Sequence, residues 1–271
     1  MCRFCTWESC PFASRIMPKG VYIAASAMYV ESKALDIAAR NLAHAQTTGY
    51  QREHFLRTGF ADELAKTGRT EDVSGNGGAG ILSDGSYFSH GPGIRDTTGA
   101  PLDLAIQGDG WFRVRDDSGK VLLTRAGNFS TDSKSRLITP EGWLVEGQGG
   151  PITIPSDAER LTIDQNGRIS AFVSSNGVRR DAVIDQLRIV QVPQPGKMTA
   201  INGQYFDPAG QRESDATGKV QQGFLEKSNV EPIRELAEMI AIQRRYDAAQ
   251  KSMREMSQAG GGFSELLRGN G

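Results

Sequence analysis

The sequence predicts an α+β protein in which long N- and C-terminal helices that form coiled coils flank a central all-β domain. Three patterns lead to this fold class. Residues 228–256 repeat apolar side chains at alternating steps of three and four. Residues 21–45 are rich in alanine and apolar on two sides of a helix. Between residues 81 and about 192, short alternating runs are separated by tight-turn sequences, which is typical of strands.

The predicted C-terminal helix begins near Asn229, a good N-cap, with Pro232 in its first turn, and we expect it to stop at Gly260. Its assembly seam consists of Met239, Ile242, Tyr246, Ala249, Met253 and Met256, and a second apolar row of Ile233, Leu236 and Ile240 lies beside it. A helix of this length would span about 43 Å, which is too long for one small core to cover. The periodicity fits an assembly helix and a helical hairpin inside one domain equally well.

The predicted N-terminal helix carries the other part of the assembly seam, an apolar residue at every seventh position: Val21, Met28, Leu35 and Leu42. A second line of Ile23, Val30 and Ile37 lies about 200° around the same helix. Because a helix that is apolar on two opposite sides needs neighbours on both, the pattern predicts burial by other subunits. A helix enclosed within one large domain is the alternative.

The first residues contain every cysteine of the chain, Cys2, Cys5 and Cys10. Neither a fourth cysteine nor a nearby histidine completes a metal site of the usual spacing. We interpret residues 1–16 as a non-native or disordered extension, with translation starting at Met17. The predicted domains are then residues 17–66 (terminal helix and connector), 67–80 (glycine-rich linker), 81–222 (β domain with a loop-rich return), 223–257 (terminal helix) and 258–271 (flexible tail).

Composition and local motifs argue against several classes of function. The chain has 271 residues and a net charge of −1, with no basic excess for nucleic-acid binding and no run of about 20 apolar residues for membrane insertion. The stretch from Asp164 resembles a calcium loop, but its twelfth position is Ser175 instead of glutamate. The three histidines, His44, His54 and His90, have no metal-site spacing. We therefore predict no catalytic residues, cofactor, metal site or small-molecule substrate.

Three segments together resemble one protein family. They are residues 41–50, with Asn41-Leu42-Ala43 and Thr47-Thr48-Gly49-Tyr50; residues 102–155, with LDLAIQGDGWFRV, TRAGNFSTD and GPITIP; and residues 223–251, with GFLEKSNVEPIRELAEMIAIQRRYDAAQK. In this order they resemble the flagellar hook and basal-body rod proteins of bacteria. The matching positions are Asn41, Leu42, Gly49, Tyr50, Leu104, Gly108, Gly110, Arg125, Gly127, Asn128, Phe129, Ser228, Asn229, Val230, Gln243, Arg244 and Tyr246. His44 departs from the family, which usually has asparagine there.

The resemblance implies a structural subunit, not an enzyme, that polymerises through paired terminal helices into the axial drive shaft carrying motor torque for swimming. It also implies export from the cytoplasm by the flagellar type III apparatus, location in the rod across the periplasm, and contacts with other rod and hook subunits. The proximal-rod member is the best match and the distal-rod member the next. The alternatives are another axial member, such as the distal rod or hook protein, and a secreted β-domain protein that binds or hydrolyses a ligand.

Overall fold

The computed structural model describes residues 19–59, 81–155, 158–175 and 178–268. Its α-helices are α1, Lys19–Ala43, and α2, Pro232–Arg268. Everything between these helices in the described ranges is strand, loop or the single 3₁₀ turn Pro195–Lys197. The predicted extension 1–16 and the linker 67–80 lie outside the described residues. No helix in the described part of the chain is both long and apolar enough to cross a membrane.

The strands are short. In chain order they are β1 Glu53–Gly59, β2 Ile81–Phe88, β3 Arg95–Thr97, β4 Leu104–Gln107, β5 Trp111–Arg115, β6 Val121–Thr124, β7 Ser130–Thr131, β8 Leu137–Ile138, β9 Leu144–Gly147, β10 Gly150–Pro151, β11 Ala158–Ile163, β12 Arg168–Ser175, β13 Val178–Gln186, β14 Ile189–Gln191, β15 Thr199–Ala200, β16 Tyr205–Asp207, β17 Ser214–Asp215, β18 Lys219–Gln222 and β19 Phe224–Glu226.

The chain falls into two compact units. Among the described residues, the first unit holds 19–36, 55–59, 81–85 and 238–268. The second holds 37–54 and 86–237, apart from the four residues in its two short gaps. The second unit contains the main β-sheet and both of the larger apolar cores.

The main sheet runs in the order β15-β16-β6-β5-β9-β8-β7, with β10 on β9, β14 on β5 and β17 on β14. Its centre is β5, which pairs antiparallel with β6, β9 and β14. The smaller sheets are β11-β12-β13, β18-β4, β19-β3 and β1-β2. The pairs β18-β4 and β19-β3 bring the segment before α2 back onto the strands that lead into β5.

Both faces of the central strands are buried, because consecutive side chains of a strand point to opposite faces. Phe112 of β5 and Leu122 of β6 join one core, whereas their neighbours Trp111 and Leu123 join the other. β16 repeats the pattern, since Tyr205 lies in the first core and its neighbour in the second. The β5, β6 and β16 strands therefore form the middle layer of the second unit.

The predicted fold class is wrong in its coiled-coil part, although α+β fits broadly. Its described residues have one helix near each end and a mostly β region between them, and long terminal helices in a coiled coil are not shown. The heptad positions of α1, Val21, Met28, Leu35 and Leu42, are only half-buried. A straight helix drifts about 20° for every seven residues, so a line with one apolar residue per heptad leaves any single contact face. The buried apolar positions of α1 are instead Ala24, Val30, Ala34, Ile37 and Ala38, and Val30 and Ile37 belong to the second predicted line.

Two element boundaries also differ from expectation. Helix α2 does not stop at Gly260 but continues through three glycines to Arg268. Glycine costs about 1 kcal/mol in a helix, without the steric block that proline imposes. Strand β1 lies where the sequence predicts only a polar connector. The predicted domain boundaries themselves stay predictions.

Gly127 lies where the backbone of β4 passes closest. The N–H of Leu104 donates to its carbonyl oxygen at 3.0 Å, and a Cβ on Gly127 would overlap the carbonyl oxygen of Leu104. We expect Gly127→Ala to lower the free energy of unfolding by about 2 to 3 kcal/mol, because the strand must move to admit a methyl group. Chemical denaturation measures this. The control is Gly196→Ala, at a site with open space around it, which should change stability by less than about 0.5 kcal/mol. Equal effects in the two variants would contradict the close approach.

His90 sits against the second core, with its ring edge-on to Trp111 at 5.3 Å and to Phe206 at 5.1 Å. Burial lowers its pKa below the usual 6.5. The folded protein therefore keeps the ring neutral, while the unfolded chain takes up a proton once the pH falls below about 6.5. This contribution to stability is complete above that pH and is lost as the pH falls toward the folded-state pKa. We expect the neutral variant His90→Phe to lose stability less steeply below pH 6.5 than the parent does, as measured by denaturation at several pH values. Identical slopes would contradict the assignment.

Candidate functional site

The end of α1, the turn that follows it and the start of α2 meet in the second unit. We define this meeting point as the junction, formed by Asn41, Tyr50, Arg52, Glu53, Asn229 and Glu235. Its members come from the first and last of the three sequence motifs or lie beside them. The junction is where the segments leading to both terminal helices are fixed to the β-rich unit.

Asn41 holds the end of α1 to the start of β1. Its Nδ2 donates to the carbonyl oxygen of Glu53 at 2.8 Å, and its Oδ1 accepts from the N–H of Glu53 at 2.9 Å. The side-chain amide thus copies the pairing of a neighbouring strand. The Tyr50 hydroxyl donates to the same Oδ1 at 3.4 Å. Only an amide both donates and accepts in this way, so aspartate or leucine at position 41 would leave a buried backbone group without a partner.

Asn229 plays the matching part just before α2. Its Oδ1 accepts from the N–H of Arg52 at 2.7 Å. Its Nδ2 contacts three acceptors: the carbonyl oxygen of Ser89 at 2.8 Å, that of Gly91 at 3.1 Å and Oε1 of Gln51 at 3.2 Å. The predicted N-cap role is not observed, because the helix begins at Pro232 and the amide is used by the junction.

Two buried carboxylates of the junction are paired with arginines. Glu235 Oε1 lies 2.5 Å from Nε of Arg52, a close ion pair whose N–H does not point along a hydrogen-bond direction. Glu53 Oε2 lies 2.9 Å from Nη2 of Arg40. Burial, reinforced by the charge of Glu53, raises the pKa of Tyr50 to about 12, so its hydroxyl stays protonated as a donor. Removing one member of such a pair leaves a desolvated charge behind, which is strongly destabilising.

Gly49 joins all three motif segments at one point. Its backbone has a φ of +68°, and a Cβ there would overlap the backbone nitrogen of Ala126. Its N–H donates to the carbonyl oxygen of Glu226 at 2.8 Å. Position 49 therefore needs glycine for two reasons, the left-handed backbone and the close approach.

A third ion pair, also buried, lies next to Gly49. Arg125 Nη1 is 3.3 Å from Oε2 of Glu226, and its Nη2 donates to the carbonyl oxygen of Gly108 at 3.0 Å. The other oxygen of Glu226 accepts from the N–H of Gly93 at 3.0 Å, and the guanidinium lies 5.4 Å from the Trp111 ring. Burial raises the pKa of Glu226, while the charge of Arg125 acts in the opposite direction. The pair locks the central motif to the segment before α2.

Comparison with known proteins points to one family. Residues 105–171 match the model of the flagellar hook protein FlgE/F/G D1 domain, and residues 221–259 match that of the flagellar basal body rod FlgEFG protein C-terminal region. The basal-body rod protein FlgF of Caulobacter vibrioides is 32% identical over 246 residues, covering 88% of this chain and 93% of the relative. FlgF of Salmonella typhimurium is 30% identical, covering 93% and 99%. FlgG of Bacillus subtilis is 30% identical, covering 87% and 94%.

The chain belongs to the flagellar basal-body rod protein family. This confirms the resemblance drawn from the sequence. The protein is a structural subunit of the flagellar basal-body rod, it is located in the basal body, and it assembles with other rod or hook subunits. Because the family is structural, a secreted binding or hydrolytic protein is not retained as an alternative.

The rod protein brings three of the family-motif residues, Asn41, Tyr50 and Asn229, to the junction, and others lie in the cores around it. Leu104 and Phe129 are in the first core, while Val230 packs with Tyr50 and Ala45 in a small cluster. Other motif residues do not reach the junction. Gln243 and Arg244 are exposed and Tyr246 is half-buried, and all three belong to the first unit.

The predicted assembly seam of α2 is unevenly covered within one chain of the rod protein. Ile242 is buried, whereas Met239, Tyr246, Ala249 and Met253 are half-buried and Met256 is exposed. A single chain does not test contacts between subunits, so the seam stays a prediction. Across the described ranges, no cluster of histidine, cysteine or acidic side chains is placed to hold a metal ion.

Sequence reasoning missed the charged half of the junction. In the sequence, Glu235 stands in the first turn of the predicted helix, where its charge suits the helix dipole. The structure instead buries that carboxylate beside Arg52 and Asn41. One signal was present, because Glu235 lies four residues before Met239 and seven before Ile242, and so shares their helix face. An acidic residue on a buried row indicates that a lysine or arginine from elsewhere in the chain pairs with it.

We expect Asn229→Ala to lower the free energy of unfolding of the rod protein by about 2 to 4 kcal/mol, because the N–H of Arg52 and several carbonyl oxygens lose their partner together. Denaturant unfolding measures the loss. The matched control is Asn166→Ala, in the exposed turn before β12, where the change should stay within about 0.5 kcal/mol. A loss at position 229 no larger than that of the control would show that water replaces the amide and that the junction does not depend on it.

Proposed function

We propose that this rod subunit polymerises through apolar side chains that α1 and α2 leave in solvent, and that the resulting shaft transmits motor torque for swimming. The observation that carries the proposal is an exposed row on α2. Ile233 is 85% exposed, and Leu236 and Ile240, at steps of three and four, are half-exposed. Residues at these steps lie side by side on one face of a helix.

The exposed row is the second apolar row of the sequence prediction, and it differs from the seam. Ile242, a member of the seam, is buried within the chain itself. Helix α2 therefore has two apolar faces. Its own chain covers one of them in part, and the other is exposed to solvent. Burying one isoleucine side chain stabilises a contact by about 1.5 to 3 kcal/mol, so three such residues supply a substantial share of a subunit interface.

Helix α1 supports the same proposal. Tyr22 is 65% exposed, and Tyr29, seven residues further along, is similarly exposed. Tyrosine is enriched at protein interfaces because its ring packs while its hydroxyl finds a partner. If a row on one subunit contacts a different surface of the next, the contact does not close on itself and a helical filament results. The half-buried seam positions of both helices would be covered further in the same assembly.

Two finer points of this proposal rest on family membership. The first is delivery to the growing rod by the flagellar type III export apparatus. The second is a place in the proximal part of the rod. Relatives named FlgF and relatives named FlgG match this chain at nearly the same identity, 29 to 32% and 27 to 31% respectively. Coverage does not separate the two names, because two FlgF relatives cover 93% of this chain and the other two cover 88%, as much as a FlgG relative does. The proximal place therefore rests on the resemblance of the sequence motifs.

The exposed row can be tested by placing charges on it. We expect Ile233→Asp with Ile240→Asp to change the free energy of unfolding of the isolated protein by less than about 1 kcal/mol, because both sites are solvent-exposed. The same variant should fail to join the rod, because each carboxylate would be buried without a partner at every subunit contact. Rod incorporation and swimming are measured in a strain lacking the parent gene.

The control carries the same chemistry elsewhere. Ile94→Asp with Val183→Asp also replaces two exposed apolar residues by aspartate, but on the β-rich part of the chain. This control should be stable and should restore swimming. Normal rods from the α2 variant would refute the exposed row as a subunit contact, and equal loss from both variants would show that the effect is not specific to the helix.

A further inference from the structure

Two contacts within the first unit define how α1 lies against α2. A Cβ on Gly20 would be 2.5 Å from the sulfur of Met256, and Oε2 of Glu31 is 3.1 Å from Nε of Arg245. Eleven residues separate Gly20 from Glu31, and eleven separate Arg245 from Met256. The two helices therefore run in opposite directions in one definite register. Eleven residues make about three turns, so both contacts fall on the same face of each helix.

Glu31 is the charged residue of this face. It is only 5% exposed, and the nearest buried residues on the same side of α1 include Ala34 and Ala38. The same Oε2 also lies 3.3 Å from Nη2 of Arg57, which belongs to β1. Arg245 is held in place from its other side by Glu238, at 3.2 Å. A buried carboxylate is tolerated only when a cation is within reach.

The buried residues three and seven positions from Glu31 on α1 are the alanines Ala24, Ala34 and Ala38, so the apolar contacts of this face specify the register weakly. Alanine methyl groups are alike, and sliding one helix along the other exchanges one for the next. A shift of α2 by one turn would place Glu31 opposite Ala241, Ile242, Ala248 or Ala249. None of these four residues is a cation. A shift by seven residues toward the start of α2 would place it opposite Glu238, which repels it.

We infer that Glu31 is a positioning residue that selects, through Arg245, the register in which α1 and α2 pair within one chain. This role goes beyond subunit contacts in the rod, because it concerns a single chain. Buried polar groups fix register at a cost in stability in other helix pairs. Arg57 follows α1 closely in the chain and can stay with Glu31 in a shifted register. The discrimination therefore comes from the contact with Arg245, and we expect it to favour the observed register by about tenfold.

The register is measured by cross-linking pairs of cysteines in dilute full-length protein with Cys2, Cys5 and Cys10 changed to serine. The first reporter, Gly20→Cys with Met256→Cys, detects the observed register. The second, Gly20→Cys with Ser252→Cys, detects a shift by one turn. A short bismaleimide joins the two thiols, and the yield of intramolecular product is read by mass spectrometry. In the parent sequence the first reporter should give about ten times the yield of the second.

The decisive variant moves the cation by one turn. Arg245→Ala with Ala241→Arg places an arginine opposite Glu31 only if the helices shift to the register of the second reporter. We expect the second reporter to exceed the first in this background. Glu31→Leu should remove the preference, so that the two yields come within about threefold of each other, since leucine packs against alanine in either register.

A change remote from Glu31 serves as the control, since Lys251→Ala on the same helix should leave the ratio of yields unchanged. The thermal transition of each variant shows whether the β-rich unit is still folded. If the first reporter dominates after the arginine is moved, or if Glu31→Leu keeps the tenfold ratio, other contacts set the register and the inference is wrong. Low yields from both reporters in the parent would also contradict it. Assembly is not measured, so this outcome is independent of the rod contacts proposed above.

Discussion

The structure depends on two asparagine side chains that fix both ends of the chain to one place. Asn41 clamps the backbone of Glu53, and Asn229 binds the backbone of Arg52. Neighbouring residues at the start of β1 are thus held by amides from opposite ends of the sequence. Apolar packing could hold these segments near one another, but it does not specify direction. Hydrogen bonds do specify direction when one side chain supplies both the donor and the acceptor.

The junction and the Arg125–Glu226 pair share a physical logic. Each buries a carboxylate, and each surrounds it with partners drawn from distant segments. Such groups contribute little net stability compared with an apolar replacement, but they make every alternative arrangement expensive. The three sequence motifs therefore belong to one set of contacts in the folded protein. Their glycines allow the backbones to approach one another closely. Their buried polar residues find hydrogen-bond and ion-pair partners in only one arrangement.

Much of the fold was predictable because it depends on local rules. Alternating apolar residues and tight-turn sequences indicate the β region, and the long apolar repeats indicate both helices. The coiled-coil prediction is wrong, because a heptad spacing shows which residues of one helix are aligned. It does not show what lies opposite them. The three glycines of α2 look like a stop in sequence, yet the turns on either side carry the helix through them.

The candidate site divides in the same way. Asn41, Gly49, Tyr50 and Asn229 were identified by resemblance to a family, which reports that a residue matters without saying what it touches. Arg52, Glu53 and Glu235 were missed, because a charged residue next to a helix looks like ordinary surface until its partner is known. Ion pairs between residues nearly two hundred positions apart leave no periodic trace in the sequence. The local sign of such ion pairs in the sequence is an acidic residue on a buried row of a helix, as at Glu31 and Glu235.

The geometry at Asn229 also bears on how the subunit answers to force. Its amide reaches Ser89, Gly91, Gln51 and Arg52 from one position at the root of α2. Because all of these bonds belong to one side chain, a force on that side chain is shared among them and they break together. Bonds that are loaded in sequence break one after another. A part that turns under load is best attached in this way. The start of α2 is then attached to the second unit through one side chain that makes several bonds at once.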